Sequence, residues 1–350
     1  MNRAAAIALA PLSGFYGLAM KARRVLYRKG ILPASDLGAP VISVGNLTTG
    51  GTGKTPLVDW IANELAQKKR RVCILTRGYG RPNDAERVVV SNGTEILSKP
   101  ELAGDEPFLL AEKLLGKAAV ISDSDRESAA RWALENLKSD VFLLDDGFQN
   151  LRIVRSLDIV TVDATNPWGN RRLLPAGILR EPPAEISRAD CVVMTRADDI
   201  VRADALFREI ENLNHARPAF RSRMTISDVR PVRVQENNIK QAIGADQIRS
   251  SSVAAFCGTG NPQAFFAQLR REGFRLCHTQ SFRDHHVYTQ SDANRIVRRA
   301  VANGAELLLT TAKDEVKLRS IAFDLTCYVV DITIEINDKA KLLSLIDEAI

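Results

Sequence analysis

Short apolar runs recur along the first two thirds of the chain, and stretches with helical spacing lie between them. After the first run, the spacing predicts a helix over 56–68. Strands that alternate with helices are typical of an α/β fold with a doubly wound, mostly parallel sheet. In such a sheet, ligands bind beyond the carboxyl ends of the strands. The runs predicted as strands are 41–45, 72–76, 118–122, 141–144, 159–162 and 191–194.

The pattern changes near residue 219, where polar and apolar residues alternate between Pro218 and Pro231. This stretch, 219–234, predicts a hairpin or a linker, and it places the domain boundary near residue 220. A second α/β set follows, with strand-like runs at 253–257, 274–277, 307–310 and 328–332. We therefore expect an N-terminal helical segment (1–30), a large domain (31–218), the linker and a smaller α/β domain (235–350). One option for the end of the chain is to pack back on the large domain.

A glycine-rich run follows the first predicted strand and reads Gly50-Gly51-Thr52-Gly53-Lys54-Thr55. Strand, glycine loop and helix in this order are typical of a phosphate-binding loop. Backbone N–H groups would surround phosphate oxygens, Lys54 would add a positive charge, and the Thr55 hydroxyl would complete a magnesium shell. Thr48 stands where the common pattern has a glycine, and a plain glycine-rich turn is the alternative. The run predicts that the protein handles a nucleoside triphosphate.

Two aspartates end the apolar run at 141–144, and they lie about ninety residues after the glycine loop. A carboxylate at a strand end holds magnesium or its water shell in many phosphate-loop proteins, so Asp145 and Asp146 are candidate metal ligands. Gly147 follows directly, and an abrupt turn there would direct Gln149 toward the same site.

The residues suited to acid–base chemistry leave alternatives open. Asp105 lies at a predicted helix start, where it is either an N-cap residue or a carboxylate that faces the phosphates. His285 and His286 are two of the four histidines. Such a pair binds metal, orients a catalytic carboxylate, or has a purely structural role.

Several arginines lie in predicted loops after strands or at helix starts, where a guanidinium suits bidentate phosphate recognition. They are Arg77, Arg126 and Arg180, the last of which Glu181 follows. The tetrapeptide Thr195-Arg196-Ala197-Asp198 is similar to the T-K-x-D motif with which some phosphate-loop proteins read a base, but it has Arg in place of Lys.

Composition narrows the class of partner. The chain of 350 residues has a net charge of +6, which favours anionic partners. It has no long basic block and no RNA-binding signature, so we expect no nucleic-acid partner. The five cysteines are scattered without a C-x-x-C pair, which indicates a reducing compartment and no zinc site.

The N-terminal 30 residues contain six basic residues and no acidic one. Their uncharged part, residues 4–20, is short and is broken by Pro11 and Gly14, so it is a weak candidate for a membrane span. A helical wheel predicts an apolar face with Phe15, Leu18, Ala22, Val25 and Leu26, and a basic face with Lys21, Arg24 and Arg28. This pattern suits the surface of an anionic bilayer, and packing on the protein's own core is the alternative.

Taken together, these motifs resemble the tetraacyldisaccharide 4'-kinase family, the lipid A 4'-kinases. The resemblance extends from about residue 11 to about residue 335 in the family's order. Two positions depart from the family pattern, because Arg171 stands where a glycine is frequent and Ala312 replaces a glutamate. The matching motifs are Gly45-Asn46, Gly50 to Pro56, Thr76-Arg77-Gly78-Tyr79-Gly80, Gly104-Asp105-Glu106-Pro107, Asp125-Arg126, Asp145-Asp146-Gly147-Phe148-Gln149, Asn166-Pro167-Trp168-Gly169-Asn170, Leu173-Leu174-Pro175-Ala176-Gly177, Leu179-Arg180-Glu181-Pro182, Phe282-Arg283-Asp284-His285-His286 and Thr310-Thr311-Ala312-Lys313-Asp314.

The resemblance implies transfer of the ATP γ-phosphoryl group to the 4'-hydroxyl of a tetraacylated glucosamine disaccharide 1-phosphate, which forms lipid IVA. It implies a phosphate-loop domain joined to a smaller α/β domain by a β-ribbon, at the cytoplasmic face of the inner membrane. It also implies Asp105 as the base with His285 as its partner, besides Lys54 as the phosphate clamp. Thr55, Asp145, Asp146 and Glu181 would hold Mg²⁺, while Gln149, Arg77, Arg126 and Arg180 would line the nucleotide or substrate-phosphate regions. We expect an anionic glycolipid substrate and a monomer.

Two other classes of protein share part of this pattern. A membrane-bound nucleotide switch would have the phosphate loop, the strand-end aspartate and the basic helix, but it would not need Leu179-Arg180-Glu181-Pro182 or the distant histidine pair. A soluble small-molecule kinase or synthetase would not need the N-terminal helix.

Overall fold

Buried strands form the centre of the molecule. The structure, a computed structural model, describes residues 8–79, 81–215, 217–233 and 245–350. Residues 1–7, Gly80, Ala216 and 234–244 lie outside the described residues. The strands are β1 (Val41–Asn46), β2 (Val72–Thr76), β3 (Val88–Ser91), β4 (Ala118–Ser122), β5 (Val141–Asp145), β6 (Leu157–Asp163), β7 (Cys191–Thr195), β8 (Ala219–Pro231), β9 (Ser252–Cys257), β10 (Arg275–Ser281), β11 (Leu307–Thr311) and β12 (Cys327–Ile336).

Helices cover both faces of this sheet. They are α1 (Ala10–Arg28), α2 (Lys54–Gln67), α3 (Pro100–Ala103), α4 (Asp105–Lys113), α5 (Arg126–Asn136), α6 (Ile200–Leu213), α7 (Ala245–Ser250), α8 (Pro262–Arg271), α9 (Gln290–Ala302), α10 (Ala312–Glu315) and α11 (Lys339–Glu348), with a 3₁₀-helix over Pro183–Arg188. Successive side chains of a strand point to opposite faces, so one strand feeds two cores. In β2, Ile74 packs in the core with α2, whereas Cys73 and Leu75 pack in the core with α5.

Within the described residues, one twelve-stranded sheet extends through the whole molecule, in the order β10-β9-β11-β12-β8-β7-β6-β1-β5-β2-β4-β3. The strand pairs from β8 to β4 are parallel, and β3 is an antiparallel edge strand. On the other side, β10, β9, β11 and β12 are parallel to one another. The mostly parallel α/β sheet predicted from the chain is therefore present.

A long antiparallel ribbon of β8 and β12 joins the two halves of the sheet. The first half contains β1 to β8, and the second half contains β9 to β12. Strand β8 pairs with β12 from Ser222 opposite Ile336 to Pro231 opposite Tyr328. The expectation of a local hairpin within 219–234 is wrong, because residues 219–231 form one strand whose antiparallel partner comes about a hundred residues later. The proposed domain limits, 31–218 and 235–350, stay a prediction.

The chain end and the N-terminal helix both lie against the first half. Leu342 and Ile346 of α11 are fully buried in the same core as Ile61 and Leu65 of α2. Helix α1 packs on the loop after β6, where the Ser13 hydroxyl donates to the Leu173 carbonyl at 3.0 Å. No helix among the described residues is both long and apolar enough to cross a membrane.

Candidate active site

The glycine loop connects β1 to α2 at the carboxyl edge of the sheet. Gly50 and Gly53 adopt φ values of 109° and 82°, which non-glycine residues rarely take, so the loop can turn tightly before α2 begins at Lys54. The Thr52 hydroxyl lies 2.9 Å from the Thr161 hydroxyl and ties the loop to β6. The loop therefore lies at a helix N-terminus, where backbone N–H groups and the helix dipole favour an anion.

Lys54 faces the carboxylates that end β5. Its Nζ donates to Asn46 Oδ1 at 3.0 Å and lies 3.2 Å from Asp146 Oδ1. Asp146 has a φ of 53° and its Oδ2 accepts from Arg180 Nη1 at 2.7 Å. Burial acts to raise the pKa of Asp146, but the charges of Lys54 and Arg180 outweigh it and hold that pKa well below its usual range. Asp146 is thus an ionised carboxylate between two cations.

Asp145 has the opposite character. Burial, reinforced by the nearby Glu106 charge, raises the pKa of Asp145 to about 7. Its Oδ1 is buried and has no hydrogen-bond partner among the residues that the structure describes. Such an atom fits a cation, because an unpaired buried oxygen is costly and oxygen is the ligand that Mg²⁺ takes.

The donor set around Asp145 suits magnesium bound together with a nucleotide. Thr55, Asp145 and Asp146 all line the same cavity. No group of three or more His, Cys, Asp or Glu side chains in the described ranges is arranged to hold a metal. Mg²⁺ does not require such a cage, since it is usually held by one or two carboxylates, water and substrate phosphates. The residues present therefore fit that ion.

Glu181 is not brought to this metal position, contrary to the expectation from the resemblance. Its carboxylate is 1% exposed and its Oε2 accepts from Arg24 at 3.0 Å and from Arg188 at 2.7 Å. It lines neither of the two cavities found near the loop. Two guanidiniums satisfy this carboxylate, so it is an ion-pair partner of α1 in this structure.

Gln149 and Arg126 support the site from behind and do not line the cavity. Gln149 Nε2 donates to the Asn46 carbonyl at 3.0 Å, and its Oε1 accepts from Arg180 at 3.4 Å. Buried Arg126 donates to the Asp146 carbonyl at 3.0 Å. These two side chains therefore hold the ends of β1 and β5, whereas Arg77 and Arg180 do reach the cavity.

Asp105 and His285 meet across the cleft, although 180 positions separate them in the chain. Nδ1 of His285 lies 3.2 Å from Asp105 Oδ2. The N-cap alternative for Asp105 is wrong, because Gly104 is the N-cap of α4 and Asp105 is the first helical residue. His286 instead contacts Asp292 at 3.2 Å and stacks on Phe282, so the two adjacent histidines have different surroundings.

Charged residues of the second half, which the sequence reasoning missed, surround this pair. Lys317 Nζ lies 3.1 Å from Asp105 Oδ2. Lys313 Nζ contacts Glu106 at 2.7 Å and Asp284 at 2.9 Å, and lies 3.5 Å from His285 Nε2. Lys313 lies within the family motif Thr310–Asp314, so the sequence did indicate that this segment is near the site. Nothing in the sequence around Lys317 indicated that this residue lies there.

A cleft of about 460 Å³ lies between the glycine loop and the second half of the sheet. Asp105, whose side chain is 17% exposed, adjoins its wall through Glu106 and His285. Arg196 also reaches the cleft and donates to the Gly51 carbonyl at 2.9 Å, but Asp198 pairs with Arg271. Base reading by residues 195–198 stays a prediction. The residues that line the cleft include Gly50, Gly51, Thr52, Gly53, Lys54, Thr55, Arg77, Glu106, Asp145, Asp146, Arg180, Arg196, Asp284, His285 and Lys313.

A glycine loop before a helix, strand-end carboxylates and a carboxylate–histidine pair across one cleft define a phosphate-loop phosphotransferase. The model of the family described as tetraacyldisaccharide-1-P 4'-kinase matches residues 5–350. The tetraacyldisaccharide 4'-kinase of Pelobacter propionicus is 41% identical to this chain, over 89% of this chain and 82% of that protein. The tetraacyldisaccharide 4'-kinase of Geobacter metallireducens is 39% identical over the full length of both proteins. A crystal structure of the "apo" form of LpxK from Aquifex aeolicus in complex with ATP superposes with a TM-score of 0.77, at 32% identity, over 98% of this chain and 99% of that one.

The chain belongs to the tetraacyldisaccharide 4'-kinase family. It is an enzyme that phosphorylates the 4'-hydroxyl of the tetraacylated disaccharide 1-phosphate, a step of lipid A biosynthesis. The prediction of a kinase is therefore confirmed, and the nucleotide-switch and soluble small-molecule alternatives are wrong.

Proposed function

We propose that this kinase uses Mg²⁺·ATP, with the phosphates on the loop 50–55 and the sugar 4'-hydroxyl directed at Asp105. The assignment of ATP as the nucleotide is supported by the loop geometry and by the related LpxK crystal structure, which is a complex with ATP. Thr55, Asp145 and Asp146 would hold Mg²⁺, directly or through water. When bound, the ion neutralises charge on the β- and γ-phosphate oxygens.

The protein's own cations complete the stabilisation of the transferring group. Lys54 begins the helix after the loop and its Nζ lies 3.2 Å from Asp146, so its ammonium would meet the β- and γ-phosphate oxygens. Arg180 is fixed by Asp146 and Gln149, and Arg77 lines the cleft. Because these groups are positioned before the reaction, little reorganisation is needed as charge shifts to the leaving phosphate.

Asp105 would act as the general base. As the 4'-oxygen bonds to the γ-phosphorus, the bond from that phosphorus to the β,γ-bridging oxygen breaks and ADP leaves. The hydroxyl proton passes to the Asp105 carboxylate. Burial acts to raise the pKa of Asp105, but the hydrogen bond from His285 and the Lys317 charge outweigh it, so the pKa is lowered and the base is ionised at neutral pH. The contact between Asp105 and His285 is the observation on which this proposal depends.

Substitution of the pair tests the proposal. Asp105→Asn should lower kcat by about 10²–10⁴-fold, the usual range for a lost general base, while nucleotide binding persists. His285→Gln should lower kcat to a similar or smaller degree. The control is His286→Gln, because His286 contacts Asp292 and not the base. Turnover of folded Asp105→Asn at the normal rate would exclude Asp105 as the base.

We also place the enzyme at the cytoplasmic face of the inner membrane, as a monomer bound through α1. Four apolar side chains of this helix are exposed, namely Leu12 at 56%, Phe15 at 73%, Leu18 at 66% and Leu26 at 37%. Exposed apolar residues next to basic ones support contact with an anionic lipid surface, where the glycolipid substrate resides. Arg24 does not belong to that basic face, since it is 13% exposed and paired with Glu181 and Glu185.

A further inference from the structure

The Asp105 carboxylate is held on one side only. His285 Nδ1 at 3.2 Å and Lys317 Nζ at 3.1 Å both contact Oδ2, and they come from different segments of the second half. No ion pair or hydrogen bond to Oδ1 is found among the described residues. The two anchors therefore leave Oδ1 as the oxygen that is open to an incoming hydroxyl.

Lys317 lies behind the base and not in the cleft. Its side chain is 10% exposed, and it is not among the cleft-lining residues, whereas Lys313 is. The buried ammonium has two carboxylates within 4 Å, Asp105 at 3.1 Å and Asp314 at 3.9 Å. A contact with substrate phosphate would require the side chain to leave this position.

Asp314 has other donors, so it does not need the lysine. Its carboxylate accepts from the Gly258 N–H at 3.0 Å, from the Tyr288 hydroxyl at 2.9 Å and from the Thr311 hydroxyl at 2.6 Å. Lys317 is therefore positioned between a satisfied carboxylate and the Oδ2 atom of the base. The groups that face Asp105 from the elements around it are Lys317 and His285, with Glu106, Asp284 and Lys313 one contact further away.

We propose that Lys317 is a positioning residue, which clamps Oδ2 of Asp105 together with His285 and thereby directs Oδ1 at the acceptor hydroxyl. This inference rests on the proposed role of Asp105 as the base. It deepens that role, because the lysine of the second half both aims the carboxylate and keeps it ionised. The Asp105 carboxylate is then correctly positioned only when the two halves of the molecule are in contact.

The test compares Lys317→Met and Lys317→Arg by kcat, KM and the pH dependence of kcat. In Lys317→Met we expect kcat to fall by about 10–100-fold, the scale of a misplaced catalytic group, with KM for ATP unchanged. Removal of the cation favours protonated Asp105, so the acidic limb of the kcat profile should move to higher pH. We expect a shift of about one pH unit, the low end of the pKa change that a neighbouring opposite charge produces. Lys317→Arg keeps the charge, so its acidic limb should stay at the wild-type position.

The control is Lys339→Met, since Lys339 contacts Glu64 at 2.6 Å on α2, outside the cleft. In an Asp105→Asn background, Lys317→Met should add no further loss of kcat, and a full additional loss would overturn the proposal. Wild-type kcat and an unmoved limb in Lys317→Met would also overturn it, while leaving Asp105 as the base. Normal turnover of Asp105→Asn would instead reject the base itself.

Should Lys317→Met not fold, Lys317→Arg provides the test alone. It keeps the positive charge but changes the reach of the side chain. A lowered kcat with an unmoved acidic limb and wild-type nucleotide affinity supports positioning, whereas wild-type kcat overturns it.

Discussion

Adjacent residues at the end of β5 illustrate how environment decides the role of a side chain. Asp145 and Asp146 have the same chemistry, yet burial raises the pKa of the first, and the Lys54 and Arg180 charges lower the pKa of the second. The left-handed backbone at Asp146 turns its carboxylate toward these cations, whereas Asp145 ends the strand and faces inward. The pair therefore offers the Asp145 Oδ1 atom, which has no partner among the described residues, and the Asp146 carboxylate, which anchors Lys54.

Close packing at Gly45 gives a prediction at the residue scale. A Cβ at Gly45 would lie 2.5 Å from both Cβ and the backbone N of Phe148, which follows the Asp145–Asp146 turn. Gly45→Ala should therefore cost about 1–3 kcal/mol of the free energy of unfolding, the usual range for overpacking. Gly51→Ala is the matched control, because nothing lies within 4 Å of its added Cβ and its φ is not positive. Equal stability of the two variants in chemical denaturation would contradict this packing.

Local patterns indicated the loop and the strand-end carboxylates, and the family resemblance supplied the distant pair Asp105 and His285, whereas other non-local contacts left no signal. The loop 50–55 and the Asp145–Asp146 turn follow from strand endings, which the sequence displays directly. The roles of Lys317 and of Arg24 depend on partners in distant segments, so no spacing rule reveals them. Glu181 is the converse case, since a motif match implied a metal ligand, whereas the structure pairs its carboxylate with two guanidiniums.

At the scale of elements, α1 has two faces with different tasks. One face contacts the site, since Arg23 donates to the Gln149 carbonyl at 2.8 Å and Arg24 pairs with Glu181. The other face exposes the apolar residues Leu12, Phe15, Leu18 and Leu26. The helical wheel predicted the apolar face, but it could not show that one of the basic residues turns inward. The helix thus supports the residues next to Asp146, and its exposed apolar face is the proposed membrane contact.

The exposed face of α1 predicts a loss of lipid binding when its apolar side chains are made polar. Phe15→Ser combined with Leu18→Ser removes apolar area that would enter the lipid surface, so binding to anionic vesicles should fall by about tenfold or more. With substrate dispersed in detergent micelles, kcat should change little, because neither side chain lines the cleft. Leu97→Ser is the control, as Leu97 is 53% exposed on a different segment. Co-sedimentation with vesicles measures the difference, and equal binding of both variants would reject α1 as the membrane contact.

At the scale of the whole molecule, one sheet connects both halves while side chains close the cleft between them. The β8–β12 ribbon provides the continuous connection. The family resemblance implied a β-ribbon here, but local patterns could not show which strands form it, because pairing between positions 219–231 and 327–336 leaves no local signal. Helix α4 then contacts the second half along its length. Glu106 meets Lys313 at 2.7 Å, Glu112 meets Arg319 at 2.9 Å and Lys113 meets Asp331 at 3.4 Å. The same helix begins with Asp105, so these ion pairs fix the proposed base relative to its partners.

This arrangement predicts that closure of the cleft depends on the Glu112–Arg319 pair. Its two side chains are only 19% and 20% exposed and meet through two hydrogen bonds, a geometry stronger than a surface pair. Glu112→Gln should weaken contact between the halves and lower kcat/KM by about 5- to 30-fold, which corresponds to 1–2 kcal/mol. Salt screens a partly buried pair less than an exposed one but still weakens it, so raising the salt from about 50 mM to about 500 mM should lower kcat/KM of the wild type slightly more than that of Glu112→Gln. Glu335→Gln, which loses an exposed ribbon pair with Arg223, should keep the wild-type salt response, and the same response in Glu112→Gln would show that this ion pair does not control closure.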